Sequence, residues 1–234
     1  MSLPSIGLPE FFLELPSNNN EIKYRPFSVK EQKILLMAKE SKEPKEIVNA
    51  VETIVKSCTD LKDVSKLPYF DIEFIFLHIR GKSMGEDLEF RLRHGENKEC
   101  KHVTETSVSI DDIKISIPEG KKTTIELQNN IGITVQYPNL HNIDDFAKSL
   151  TAPNRFLEFV YDNVENVFDQ EKVYDDFTRD EMVTFIDSLD SMCFEKIQKW
   201  YNEMPLLTHN IKWTCPKCGE EDSVTLTGLN DFFL

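Results

Sequence analysis

Cys215 and Cys218, in the run WTCPKCGEED, flank a Pro-Lys turn, and no other stretch of the chain is so plainly built for chemistry. A Cys-x-x-Cys turn can hold half of a metal site or form a redox disulfide. A structural Zn²⁺ wants four soft or borderline donors in a tetrahedron, commonly supplied in pairs by two turns distant in sequence. The second turn is HGENKECKHVTE, where Cys100 and His102 lie two residues apart and His94 lies just upstream. The two stretches echo one another downstream. VTETSVSIDDI follows His102 and GEEDSVTLTGL follows Cys218, so that Ser107-Val108 answers Ser223-Val224 and Ile110 answers Leu226. Two turn-plus-strand halves in matching register are the sequence texture of a zinc ribbon. The expected ligands are Cys100, His102, Cys215 and Cys218, with His94 in place of His102 as the main variant, because Cys-x-His is shorter than the usual knuckle. A thioredoxin-like redox pair fits poorly, since no βαβ pattern surrounds the motif. Cys58 and Cys193 fall on apolar helical stripes, where free cysteine behaves as a small hydrophobe.

Four protein ligands close a zinc site and leave no position for substrate, so the expected metal is architectural. No G-x-S-x-G, P-loop, G-x-G-x-x-G or H-E-x-x-H motif is present, and eight glycines offer few phosphate-cradling loops. His78 lies inside the apolar run FIFLHIRG and reads as a helix residue rather than a base. His141 and His209 stand at turn boundaries and belong to no catalytic motif. The pairs Asp111-Asp112 and Asp144-Asp145 sit where caps and turns want carboxylates. The chain therefore reads as a non-enzyme.

Across the 234 residues, 41 acidic against 27 basic side chains give a net charge of −14, spread along the whole chain. Such a field repels phosphate backbones, so nucleic-acid partners are not expected. Five cysteines with no even framework, and an N-terminus without a basic region followed by an apolar run, predict a reducing, cytoplasmic setting. The most apolar run, YFDIEFIFLHI, carries Asp71 and Glu73 and stops at Arg80, so no membrane span is expected.

The elements that must position the cysteines follow from periodicity. Four prolines and a Ser-Asn-Asn-Asn run predict an extended arm or hairpin over 1–27. A helical region follows over 28–84: Ser28 and Glu31 form a capping box for VKEQKILLMAKES, Pro44 opens a second helix, and the run beginning at Pro68 reads as a buried helix. Over 85–138 the period becomes alternating in DLEFRLRH, SVSIDDIKISI and TIELQNNIGITVQYP, which predicts one small antiparallel β-unit. Residues 139–208 turn helical again, with NRFLEFVYDNVENVF as one helix and Thr178 with Glu181 capping a long helix that runs to about Met204. Residues 209–234 hold the second half of the metal site and a tail. The fold class expected is α+β, mostly helical, with the β-unit stapled by a zinc-ribbon-like site to the C-terminal segment.

EIKYRPFSVKEQKILLMAKES, then LPYFDIEFIFLHIRGKSMGE, then the β-unit and a cysteine turn leading to LTGLNDFF resemble the baseplate hub proteins of T4-like contractile-tailed bacteriophages. The resemblance covers most of the chain. It implies a non-enzymatic tail protein of the virion, present in the host cytoplasm during assembly. Such a protein belongs to the central hub or helps to assemble it, and is oligomeric there alongside other hub, spike and tape-measure proteins. Both hub subunits and assembly factors occur in the family, and the motifs do not separate them. The apolar runs LPEFFLEL and LNDFFL suit partner-binding arms or packing on the chain's own core. The rival reading, a zinc-ribbon adaptor for nucleic acid or transcription machinery, is disfavoured by charge. Lys98, Lys101, Lys212 and Lys217 are outnumbered by Glu96, Glu99, Glu105, Glu220, Glu221 and Asp222. A metalloenzyme would need an open coordination position.

Overall fold

The computed structural model describes residues 7–95, 99–115, 117–118 and 121–228. The apolar run LNDFFL over 229–234 lies outside them. In chain order the elements are β1 (Phe11–Glu14), β2 (Glu21–Tyr24), α1 (Val29–Ser41), α2 (Pro44–Cys58), α3 (Tyr69–Met84), β3 (Asp87–Arg93), β4 (Val103–Ser109), β5 (Thr124–Glu126), β6 (Gly132–Val135), α4 (Ile143–Ser149), α5 (Pro153–Asn163), β7 (Val164–Phe168), β8 (Val173–Tyr174), α6 (Arg179–Asp187), α7 (Ser191–Asn202), β9 (Thr208–Thr214) and β10 (Glu221–Thr227). Helices and small antiparallel sheets together make this an α+β protein. No described helix is long and apolar enough to cross a membrane.

The chain divides into two compact units, residues 1–64, 70–116 and 206–234 forming one and residues 65–69 and 117–205 the other. In the first unit β1 and β2 pair as an antiparallel hairpin, and Ile22 and Tyr24 turn inward. The Ser28–Glu31 capping box is formed, which satisfies helix-end donors that would otherwise lack partners. Burial works against the Glu31 carboxylate, but the Ser28 hydroxyl and N–H and the Arg25 guanidinium donate to it and hold its pKa at about 2. Helix α3 is apolar almost all round because it is enclosed: Phe70, Ile72, Ile75, Phe76, Leu77 and Ile79 are at most 2% exposed. Asp71 is as deeply buried, and it accepts hydrogen bonds from the Ser17 N–H (3.1 Å) and hydroxyl in the turn between β1 and β2. Burial pushes the Asp71 carboxyl up to about 6 against the pull of those two donors.

Strands β3 and β4, seven residues each, form one hairpin and β9 and β10, also seven residues each, another, each a separate two-stranded sheet. Leu88 and Val108 from the first and Ile211 and Leu226 from the second are buried. Where α3 passes the end of β4, Gly81 lies so close that a Cβ there would stand 2.7 Å from Ile110 Cδ1.

The second unit is a four-stranded antiparallel sheet, β5-β6-β7-β8, with α4 to α7. Asn129 and Asn130, both in the left-handed region, turn the chain between β5 and β6. Ile133, Val160, Met182, Ile197 and Tyr201 centre the core, and the Trp200 indole N–H donates to the Lys122 carbonyl at 2.7 Å. Three expectations change here. The alternating runs over 85–138 do not make one β-unit: β3 and β4 stay in the first unit while β5 and β6 join β7 and β8. Alternation identifies the faces of a strand but not its neighbour. The predicted helix NRFLEFVYDNVENVF stops at Asn163, whose side chain donates to the Phe159 carbonyl at 2.7 Å, and Val164–Phe168 continues as β7 against β6. Its β-branched valines suit a strand. The long helix from Thr178 is two helices, because the Asp190 carboxylate accepts from the Cys193 N–H at 2.8 Å and caps a new start.

Candidate metal centre

The β3–β4 and β9–β10 hairpins each present two donors from the turn. His94 is the first residue after β3, and Cys100 lies three residues before β4. Cys215 is the first residue after β9, and Cys218 lies three residues before β10. The turns thus offer equivalent positions, although the first spans nine residues and the second six. The donor atoms of His94, Cys100, Cys215 and Cys218 all lie within 4.8 Å of one another. Cys100 Sγ and Cys215 Sγ are 3.9 Å apart, and Cys218 Sγ is 3.3 Å from His94 Nε2. With metal–sulfur bonds of about 2.3 Å and metal–nitrogen bonds of about 2.0 Å, the edges of a zinc tetrahedron come to about 3.5–3.8 Å. A disulfide would draw two sulfurs to about 2.05 Å, so the spacing suits coordination.

The turn at Cys215 shows how backbone stabilises thiolate. Gly219 N–H donates to the Cys215 carbonyl and Cys215 N–H to the Glu220 carbonyl, both at 2.9 Å. That closure needs Gly219 at φ +75°, which glycine adopts without steric cost. The Cys218 N–H, aimed at the Cys215 sulfur, is the largest influence lowering that thiol to about 6, against burial and with help from the Lys217 N–H and the His94 and Cys218 side chains. At Cys218 the Glu220 N–H pulls the pKa down, but desolvation and the neighbouring Cys215 and Cys100 thiols outweigh it and raise the pKa. A second thiolate beside the first is favourable only with a cation between them.

His94 is 3% exposed and uses both ring nitrogens: Nε2 faces Cys218, and Nδ1 lies 2.7 Å from Asp222 Oδ2. Its ring packs 6.2 Å from that of Trp213. His102 is not among the four. It lies directly before β4, half-buried, in a shallow pocket with Arg91, Glu105 and Pro216. The echo aligned on Ser107 and Ser223 makes Cys218 the counterpart of His102, whereas matching the first residues of β4 and β10, Val103 and Glu221, makes Cys100 the counterpart of Cys218. The two alignments differ by two residues. A slip of two leaves every side chain on the same face, so apolar alternation cannot detect it. The distance from each donor to its strand carries the missing signal. Asp222 was missed because GEED reads as a solvated acidic run, and only pairing with Trp213 on β9 shows which of its carboxylates turns inward.

Cys58 and Cys193, each 2% exposed, stand outside the cluster, and burial raises both thiols. No curated protein and no solved structure matches the chain. The family described as T4 bacteriophage base plate protein matches residues 8–234. With a match over nearly its whole length, the chain belongs to the T4 bacteriophage base plate protein family.

Proposed function

We propose that this chain is a non-enzymatic structural or assembly component of the central hub of the phage baseplate, with a Zn²⁺ held by His94, Cys100, Cys215 and Cys218 as an architectural staple. The observation that carries the baseplate role is the family match over residues 8–234. The hub assignment draws further support from the runs EIKYRPFSVKEQKILL and FDIEFIFLHIRGKS. Its partners are other hub, spike and tape-measure proteins, met in the host cytoplasm during assembly and retained in an oligomeric tail structure. For the metal, the support is a closed set of one imidazole and three thiols on two turns, a donor set typical of structural zinc. A zinc here links hairpins whose cysteines are 115 residues apart, and so constrains a long loop.

The test is affinity purification of the tagged chain from phage-infected cells, with mass spectrometry of co-purifying proteins and elemental analysis of the product. Hub proteins together with about one zinc per chain are expected. His94→Ala and Cys215→Ser should lose the metal, while His102→Ala and Cys58→Ser should keep it. Recovery of tail proteins other than the hub would overturn the hub assignment. Salt-sensitive retention of DNA or RNA would replace it with an adaptor role.

A further inference from the structure

We infer that Asp222 is the positioning residue of the metal centre: through His94 Nδ1 it selects the ring tautomer and orientation that aim the Nε2 lone pair at the metal. The inference rests on the metal reading above. Neutral imidazole carries one N–H, and a metal can take only the nitrogen without it. Asp222 Oδ2 lies 2.7 Å from Nδ1, while Nε2 points toward the three thiols and stands 3.3 Å from Cys218 Sγ. A carboxylate is acceptor-only, so that short contact requires the proton on Nδ1.

The carboxylate is itself held in place. Its Oδ1 accepts from the Ser223 N–H at 2.9 Å, and strand pairing sets Asp222 opposite Trp213, whose indole lies against the His94 ring. The His94 side chain is 1% exposed and that of Asp222 25%, so water competes little for Nδ1. Asp222, the last of three consecutive acidic residues, reaches a member of the donor set through its side chain. The contact also joins the hairpins, since His94 follows β3 and Asp222 lies on β10, 128 residues later. A carboxylate on the far nitrogen of a ligating histidine fixes the ring and raises its basicity, and loss of such a partner typically weakens metal binding about 10–100-fold.

The full chain would be stripped of metal, and its zinc affinity measured by chelator competition for the parent, Asp222→Ala and Asp222→Asn. A fall of about 10–100-fold is expected for Asp222→Ala. A smaller fall is expected for Asp222→Asn, whose amide oxygen still accepts from Nδ1–H. In zinc-loaded, ¹⁵N-histidine-labelled parent protein, NMR should show His94 protonated at Nδ1 and metal-bound at Nε2. To separate positioning from general support of the fold, the Asp222 substitutions are repeated on His94→Cys, which keeps four ligands but removes the imidazole. There the Asp222 effect should vanish. An equal loss in both backgrounds, or Asp222→Ala binding zinc as tightly as the parent with the same His94 tautomer, overturns the inference while leaving the metal reading intact. Failure of the parent to bind either Zn²⁺ or Co²⁺ overturns both. If Asp222→Ala does not fold, the near-isosteric Asp222→Asn carries the same comparison.

Discussion

Asp71→Asn should stabilise the protein at neutral pH and lose that advantage in acid. Asp71 is fully buried in α3 with two donors on its carboxyl, both from Ser17. Burial dominates those donors, so the folded pKa rises from 3.8 to about 6. For an acid with a raised folded pKa, the native state binds more protons than the unfolded state between the two values, and stability falls as pH rises through that window. A rise of that size makes the ionised group cost about 3 kcal/mol above pH 6, of which about 1.4 kcal/mol develops between pH 5 and pH 7.5. Asparagine has nearly the same shape and no charge. It keeps one acceptor for Ser17 and places an N–H₂ group where the second stood, a loss of about 1–1.5 kcal/mol. The balance at pH 7.5 is a gain of about 1–2 kcal/mol for the variant, shrinking to roughly zero near pH 5. Urea unfolding of both proteins at pH 5, 6 and 7.5, at equal metal loading, measures this directly. A stability difference that does not change with pH, or one that favours the parent most at pH 7.5, would refute the claim that burial governs Asp71.

Gly132→Ala should be poorly tolerated in the second unit, because the added Cβ would stand 2.3 Å from Phe168 Cζ and 2.8 Å from the Ile125 carbonyl oxygen. Overpacking of this kind costs about 1–3 kcal/mol, and Phe168→Leu should recover part of the loss in thermal melts because the Ile125 clash remains. Ile197→Ala removes a side chain that is wholly enclosed in the α7 core, and a drop of about 2–5 kcal/mol in chemical denaturation is expected. Zinc content of the purified Ile197→Ala protein should equal the parent's, since all four proposed donors belong to the other unit.

Local chemistry was legible in the sequence wherever it depended on neighbours along the chain. Ser28 with Glu31 and Thr178 with Glu181 each act over a few residues, and each forms as its residue types require. The helix α3 was legible because its apolar run is too long for an ordinary strand. What could not be read depended on partners remote in sequence. Val164–Phe168 carries a pattern that suits helix or strand, and its pairing with β6 decides for strand. In the His/Cys cluster that could hold a metal, three of the four side chains, Cys100, Cys215 and Cys218, are ones that residue type and turn texture point to. The place of His94 was not, because the two-residue slip preserves alternation and His102 is nearer to Cys100 in sequence.

The first unit is assembled from separated stretches of chain, and that sets an order of events during synthesis. A ribosome delivers His94 and Cys100 long before Cys215 and Cys218, and the whole stretch 117–205 is made in between. Domains tend to fold as units while the chain emerges, so the second unit can complete its core while the first still holds half a chelate. Two donors bind zinc far more weakly than four, so a metal held by the proposed set would be retained only once β9 and β10 arrive. On the proposed metal reading, capture would be a late step that follows completion of residues 117–205, a point at which a half-made chain differs chemically from one ready for assembly.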